Sequence, residues 1–219
     1  MGERAESCYE IDYSSKTSQP ERIVFAGEDT FTEALVSLPP ELGNGAARFC
    51  QNDTGFGYAE IGSRGARERI DFSISYSRDC FIVPFILSQR PVVVGVEGAE
   101  DVRVDPTTSY VLSPYSVGTG SVSPGTPLRS FTVFLPRSRL ARLMDEMELV
   151  CPNQLRRAIA GLAVNPYLHR GTTTPEMRRV IDRISQCQMR ERLRALYVEG
   201  ALLELGALRL QQADRKSTR

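Results

Sequence analysis

The sequence contains one histidine, no tryptophan and five cysteines in its 219 residues. Zinc and most transition-metal sites are built from several histidine or cysteine side chains, often at short spacings. The lone His169 cannot form a histidine-rich site, and no two cysteines occur as a Cys-x-x-Cys pair. We therefore expect no metal ligands and no cofactor. The cysteines are odd in number and widely spaced, so we expect reduced thiols.

Long apolar stretches are also absent. No run approaches the roughly 18 consecutive apolar residues that a membrane-spanning helix requires. The N-terminus is polar and of mixed charge, and it lacks the apolar centre of a secretory signal peptide. The sequence therefore predicts a cytoplasmic protein without a membrane contact.

Common catalytic motifs are missing as well. There is no Gly-x-Ser-x-Gly nucleophile elbow, no Gly-x-x-x-x-Gly-Lys phosphate loop and no Gly-x-Gly-x-x-Gly fingerprint at the start of a helix. Gly55-Phe56-Gly57 has the composition of a turn, and the carboxylates at 97, 100 and 101 lie in a hydrophilic stretch typical of a solvated loop. We predict no catalytic residues, and the chain is not expected to be an enzyme.

Short extended segments, separated by Gly, Pro, Ser and Asp, fill the chain from about residue 21 to residue 135. The clearest segment, residues 70–76, alternates strictly between apolar and polar side chains, as a half-buried strand requires. Further strands are predicted at residues 80–87, 91–96, 101–104, 109–112 and 130–135. Seven or so strands at a spacing of roughly 8–12 residues are typical of a small β-barrel or jelly roll, the cupin architecture included.

The hydrophobic period changes to that of helices after Pro136. Ser138 and Asn153 are each predicted to cap a helix, and Thr174, followed by Pro175, is predicted to cap a third. The apolar face of the third helix comprises Met177, Val180, Ile181 and Ile184. The predicted fold class is therefore α+β, with a cupin-like barrel followed by helices.

This pattern divides the chain into four predicted parts. They are a disordered or irregular N-terminus (1–20), the cupin-like β-barrel (21–136), a helical region (137–212) and a linker-like tail (213–219).

The last predicted helix, residues 190–211, carries apolar side chains on more than one face. One face packs on its own domain, and a second apolar face favours contact with the same helix of another subunit. Leu196, Leu203 and Leu210 are the candidate dimerisation residues. The alternative is that the helix is buried on all sides within its own domain.

The barrel is the predicted place for a ligand. A barrel of about eight strands has room for one small molecule, and such sites usually combine aromatic walls with a few polar anchors. Tyr58, Tyr76 and Arg90 are the polar candidates for ligand binding. The sequence does not tell whether these side chains point into the barrel.

The run LRALYVEGALLELGALRL, residues 193–210, resembles the helix that closes the N-terminal region of AraC-type transcription regulators. The similarity is greatest to the branch of the siderophore-responsive pyochelin regulator. Thr174-Pro175-Glu176-Met177 and the passage 127–143, in which a strand leads into a helix, have equivalents in that branch. The resemblance covers about residues 71–212.

This resemblance implies a cupin-like effector-binding domain and a dimerising helical region that act in transcription control. In the family a helix-turn-helix domain follows this helix and places recognition helices in the major groove. Here only the polar residues 213–219 follow, so we expect a truncated regulator without its own DNA-binding domain and without direct sequence-specific DNA binding.

The partners that the resemblance implies are a small-molecule effector and a second subunit. The effector would be a siderophore or an aromatic compound. The second subunit would be another copy of the chain, giving a homodimer, or a full-length regulator, giving a heterodimer. A different class remains open, namely a metal-independent cupin-like protein that binds or transforms a small molecule.

Overall fold

The computed structural model describes residues 7–15, 21–26, 32–38, 40–52, 54–76, 79–88, 92–96, 102–105, 107–113, 118–146, 152–163 and 167–217. The strands of this part of the chain are β1 (Ser7–Ser15), β2 (Glu21–Ala26), β3 (Thr32–Ser37), β4 (Ala46–Gln51), β5 (Gly57–Ser63), β6 (Ile70–Tyr76), β7 (Cys80–Ile86), β8 (Val92–Val96), β9 (Val102–Val104), β10 (Thr108–Leu112), β11 (Gly118–Val122), β12 (Leu128–Pro136) and β13 (Leu168–Thr172). The helices are α1 (Arg137–Glu146), α2 (Asn153–Ile159), α3 (Pro175–Ser185) and α4 (Glu191–Ser217), with a 3-10 turn at Pro40–Leu42. The predicted α+β class is confirmed.

The strands form two antiparallel sheets that face each other. The six-stranded sheet has the order β2-β1-β6-β11-β8-β9, and the seven-stranded sheet has the order β13-β10-β7-β12-β5-β4-β3. Tyr76 of the first sheet stacks on Phe134 of the second with ring centroids 4.7 Å apart, so the two sheets are in direct contact. This double sheet is the predicted cupin-like barrel or jelly roll.

The seven-stranded sheet is apolar on both faces, because successive residues of a strand point to opposite sides. The inner core, which it shares with the six-stranded sheet, includes Phe49, Ala59, Ile82, Tyr110 and Phe134 with Ile11 and Tyr76. The outer core, which it shares with the helices, includes Cys50, Tyr58, Phe81, Val111 and Phe131 with Val180, Ile184, Leu202 and Leu205. Burial on both faces explains why β7 is a nearly continuous apolar run.

Helix α3 begins where the sequence predicts. The Thr174 hydroxyl accepts a hydrogen bond from the backbone N–H of Met177 at 3.2 Å, and Pro175 occupies the first helical position. The predicted apolar face is buried against the sheet: Met177, Val180, Ile181 and Ile184.

A polar network joins the same helix to the sheet. Arg129 of β12 pairs with Glu60 of β5 and with Asp182 of α3, each at 3.2 Å. The Ser185 hydroxyl of α3 donates to Glu60 at 3.0 Å. These bonds cross the edge of the outer core, so they fix the angle at which α3 lies on the strands.

The N-terminus differs from the prediction. Residues 7–15 are not irregular but form β1, which pairs with β2 and with β6. Ile11 and Tyr13 point inward and are buried, whereas Asp12 points outward and pairs with Arg22 at 2.6 Å. The alternation of Tyr9, Ile11 and Tyr13 with polar residues was an available local signal for this strand. Its pairing with β6, about sixty residues further along the chain, is not readable from the sequence.

The predicted boundaries of the helical region also need correction. His169 lies in β13, which adds to the edge of the seven-stranded sheet, and α4 continues through Ser217 into the predicted tail. Ser138 and Asn153 lie inside α1 and α2 rather than at their caps, and Pro152 precedes α2 without a side-chain cap.

We expect Thr174→Ala to lower the free energy of unfolding by about 1 kcal/mol, because the N–H of Met177 loses its acceptor. Ser138→Ala is the control, since Ser138 is exposed within α1, and we expect a change below about 0.5 kcal/mol. Urea unfolding of both variants measures the difference. Equal losses would contradict the assignment of Thr174 as the cap.

Two glycines of β5 should respond in opposite ways to alanine. A Cβ on Gly57 would overlap the backbone carbonyl of Cys50 in the neighbouring strand, whereas a Cβ on Gly62 would meet no atom within 4 Å. We expect Gly57→Ala to destabilise the fold by about 1–3 kcal/mol and Gly62→Ala to be neutral or stabilising by up to about 1 kcal/mol. Urea unfolding tests this, and a tolerated Gly57→Ala would contradict the close approach of β4 and β5.

Candidate functional site

The two predicted tyrosines lie on opposite faces of the seven-stranded sheet. Tyr58 belongs to the outer core, where it stacks on Phe131 at 5.1 Å and accepts a 3.4 Å hydrogen bond from Arg194 of α4. Tyr76 belongs to the inner core, inside the barrel. They cannot contact one ligand together. Arg90, the third candidate, lies outside the described residues.

Gln51 holds Tyr76 at one end of the barrel. Its Nε2 donates to the Gly55 carbonyl at 2.5 Å and to the Tyr76 hydroxyl. The Gly55 carbonyl can only accept, so it fixes which end of the Gln51 amide is nitrogen. The amide oxygen Oε1 is consequently turned away, and it is buried with no hydrogen-bond partner among the described residues.

Tyr110 presents a second unsatisfied polar atom. Its side chain points into the inner core, and its hydroxyl is buried without a hydrogen-bond partner in the described structure. Burial raises the pKa of Tyr110, while nearby Arg170 opposes the shift and Asp105 adds to it. The hydroxyl is therefore neutral at physiological pH, and it can donate and accept.

Small side chains lie between the aromatic rings of the inner face. Ala59 of β5 is opposite Phe49 on one side and Thr132 on the other, in the middle of the seven-stranded sheet. On the six-stranded sheet, Gly118 and Gly120 of β11 are opposite the inward-facing Ile74 and Phe72. Small residues at facing positions reduce the side-chain volume between the sheets.

We call Gln51, Tyr76, Tyr110, Thr132 and Phe134 the inner site. It combines aromatic surfaces with buried polar atoms, and the only fully buried charged side chain among the described residues, Arg209, lies elsewhere, on the helix α4. Leaving a buried polar atom unpaired costs about 1–3 kcal/mol. A ligand that bonds to Gln51 Oε1 or to the Tyr110 hydroxyl would recover part of that cost.

Sequence reasoning missed Gln51 and, as a polar anchor, Tyr110. Gln51 continues the inward phase of Ala47 and Phe49 just before a turn, and a polar residue in that phase was an available signal. Tyr110 lies in the strand predicted at residues 109–112. Its direction depends on the register of β10, which the sequence does not reveal.

A second concavity lies on the outer face of the six-stranded sheet. It has a volume of about 420 Å³, and its walls include Asp12, Asp71, Ser73, Thr119 and Ser121. Its charged side chains already have partners, since Arg69 contacts Asp71 at 3.0 Å. The groove is open to solvent, so it offers little desolvation to a small ligand.

The predicted dimerisation residues differ in exposure along α4. Leu196 is 70% exposed, Leu203 is partly buried against the outer core, and Leu210 is buried within its own chain. Leu210 belongs to the outer core that the helices share with the seven-stranded sheet. Dimerisation through these residues stays a prediction, and Leu210 is not available for it in this conformation.

An exposed apolar strip nevertheless runs along α4. We call Leu193, Leu196, Gly200, Leu203 and Ala207 the α4 seam, because they recur at alternating spacings of three and four, the pattern of coiled-coil contacts. Leu193 is 69% exposed, and Gly200 and Ala207 are exposed small residues. Small residues on such a strip permit two helices to approach closely.

The part of the chain that the structure describes contains neither a cluster of metal ligands nor a helix that could span a membrane. No three His, Cys, Asp or Glu side chains lie together as metal ligands there. None of the described helices is both long enough and apolar enough to cross a membrane.

Comparison with known proteins gives one family. The family model described as "Regulatory protein PchR N-terminal domain" matches residues 66–219. No curated protein matches the chain by sequence.

Several solved structures are similar to the chain. The AraC-like transcriptional activator CuxR is 10% identical, with 83% of this chain and 61% of that chain covered and a TM-score of 0.46. ToxT from Vibrio cholerae is 8% identical, with 64% and 49% covered and a TM-score of 0.40. A variant of oxalate decarboxylase from Bacillus subtilis is 13% identical, with 74% and 39% covered and a TM-score of 0.30. The chain thus spans about three fifths of the length of CuxR.

Proposed function

The chain belongs to the family of the regulatory protein PchR N-terminal domain, and from this membership we propose that it is the effector-binding and dimerisation module of an AraC-type transcription regulator. The barrel would bind a small molecule, and α4 would pair with a second subunit. The observation that carries the first part is the pair of unsatisfied polar atoms in the inner site. The α4 seam carries the second part.

The chemistry of the inner site limits the effector. A charged group would lose its hydration in an interior without a counter-charge, which is costly. An aromatic ring, in contrast, can extend the stack that Tyr76 and Phe134 form with each other. We propose a neutral aromatic group that donates a hydrogen bond to Gln51 Oε1 and accepts one from Tyr110, with any charged part of the effector outside the barrel.

We expect neutral phenols with an amide group, with 4-hydroxybenzamide as the first probe, to raise the melting temperature of the wild-type chain. A ligand at 100 times its Kd stabilises a fold by about 2.7 kcal/mol. Tyr110→Phe should weaken binding about fivefold, because one hydrogen bond is worth about 1 kcal/mol and about 1.4 kcal/mol is tenfold in Kd. Thermal shift and calorimetry measure both effects.

The matched control is Tyr58→Phe, since Tyr58 is equally buried but lies on the other face of the same sheet. Its affinity for the probe should equal that of the wild type. An equal loss of affinity in both variants would contradict a binding site inside the barrel. So would a wild type that no neutral phenol with an amide group stabilises.

The α4 seam is proposed as a dimer contact because it exposes large apolar side chains to water. Burying a leucine contributes about 1.5–3 kcal/mol, so Leu193 and Leu196 of two chains would supply substantial stabilisation. Gly200 presents no Cβ, and nothing lies within 4 Å of the place where one would be. A second α4 helix can therefore approach closely at that position.

We expect Leu196→Asp to convert a dimeric chain to a monomer without changing its secondary structure, because the side chain is exposed in the single subunit. Leu162→Asp is the control, since Leu162 is 65% exposed but lies outside the seam. Sedimentation velocity and native mass spectrometry measure the oligomeric state.

A dimer that survives Leu196→Asp, or one that Leu162→Asp also disrupts, would contradict the seam. A wild-type chain that is monomeric alone but pairs with a full-length regulator in a mixture would assign the seam to a heterodimer.

A further inference from the structure

Arg209, near the end of α4, is a cation buried at the junction of α4 and β13. The side chain is 0% exposed and is the largest fully buried one in the described structure. Its Nη2 donates to the His169 carbonyl at 2.8 Å and lies 3.1 Å from His169 Nδ1. No carboxylate of the described residues forms an ion pair with it. Burial lowers the pKa of Arg209 to about 10, while Tyr167 opposes the shift, so the guanidinium is still charged at neutral pH.

The surrounding strand is shaped to hold this guanidinium. Gly171 of β13 has no side chain, and a Cβ there would lie 2.6 Å from the Cζ of Arg209. One turn beyond, Gln212 accepts from the Thr172 N–H at 2.9 Å and donates to the Thr172 carbonyl at 3.0 Å. These contacts fix the end of α4 on β13, so Arg209 is held in place by its surroundings.

Several hydrogen-bond donors in this cluster have no acceptor. The Nε and Nη1 groups of Arg209 are buried without a partner among the described residues. Ser109 lies opposite Gly171 in the ladder, so its side chain is on the face that α4 covers, and its buried hydroxyl also has no partner there. The unsatisfied groups are thus two nitrogens of the guanidinium packed over Gly171 and a hydroxyl on the residue opposite Gly171, on the same face of the sheet.

We propose that this cluster, which we call the Arg209 site, binds a small monovalent anion, either a halide or the carboxylate of a small organic acid. Such an anion accepts hydrogen bonds from Arg209 and from the Ser109 hydroxyl, and it supplies the counter-charge that no described residue provides. A water molecule would satisfy the hydrogen bonds but would leave the charge unbalanced. Because Arg209 belongs to α4, the anion also fastens the end of that helix to the sheet.

The site is separate from the proposed function. It lies on the outer face of the seven-stranded sheet, whereas the inner site lies on the other face, and it does not include the α4 seam. Anion binding can therefore be tested without a barrel effector and without a dimer.

The test is thermal unfolding of three proteins at fixed ionic strength. The buffer contains sodium gluconate, whose anion is bulky. Gluconate is then replaced stepwise by chloride, formate or acetate. The wild type and Arg192→Met should show a saturable rise in melting temperature, because Arg192 is exposed on α4. Arg209→Met should show none. A larger effect of chloride identifies a halide site, and a larger effect of formate or acetate identifies a carboxylate site.

Parallel responses of the wild type and Arg209→Met to every anion would overturn the proposal. If Arg209→Met does not fold, Ser109→Ala keeps the charge and removes one donor. Ser109→Ala should weaken anion binding roughly two- to tenfold, which is the effect of losing one hydrogen bond. Amide hydrogen exchange in residues 205–213 of the wild type should slow when the anion is added. An exchange rate that none of the anions changes would also overturn the proposal.

Discussion

The structure depends on one constraint: the seven-stranded sheet has two apolar faces, and both must be removed from water. Phe131 and Phe134, three residues apart in β12, belong to the outer and inner cores respectively. The six-stranded sheet covers the inner face and closes the barrel. Helices α3 and α4 cover the outer face, so the helical region completes the core and is not an appendage to it.

The same constraint connects the inner site to the helix that carries the seam. Thr132 and Phe134 of β12 face the barrel, while Val133 and Leu135 between and beyond them face the outer core. Leu135 also lies within 3.3 Å of the position that a Cβ on Gly206 of α4 would take. A ligand that displaced β12 would therefore act on the surface against which α4 packs, because close-packed side chains transmit small shifts.

The buried and partly buried cations between the helices and the seven-stranded sheet differ in their partners. At its edge, Arg129 has carboxylates on both sides, and Arg139 of α1 pairs with Glu199 at 2.5 Å while it lies over the ring of Phe56 at 4.5 Å. Each of these cations is partly solvated and has an anionic partner. Arg209 is neither solvated nor paired with a carboxylate of the described residues, so its charge is the least compensated one among them.

The sequence by itself determined the elements whose signals are local. The alternation of residues 70–76, the apolar run of β7, the cap at Thr174 and the two-faced character of α4 follow from spacing and residue type, and so does the α+β class. The sequence did not determine β13, the pairing of β1 with β6 or the depth of any candidate side chain. Tyr58 and Tyr76 look equivalent in the sequence, yet they lie in different sheets and on opposite sides of the seven-stranded one. Leu210 looks equivalent to Leu196 in the sequence, yet it is buried in the outer core. Only the tertiary structure decided these points, because a one-residue difference in register reverses a side chain, and register is fixed by pairing between distant segments.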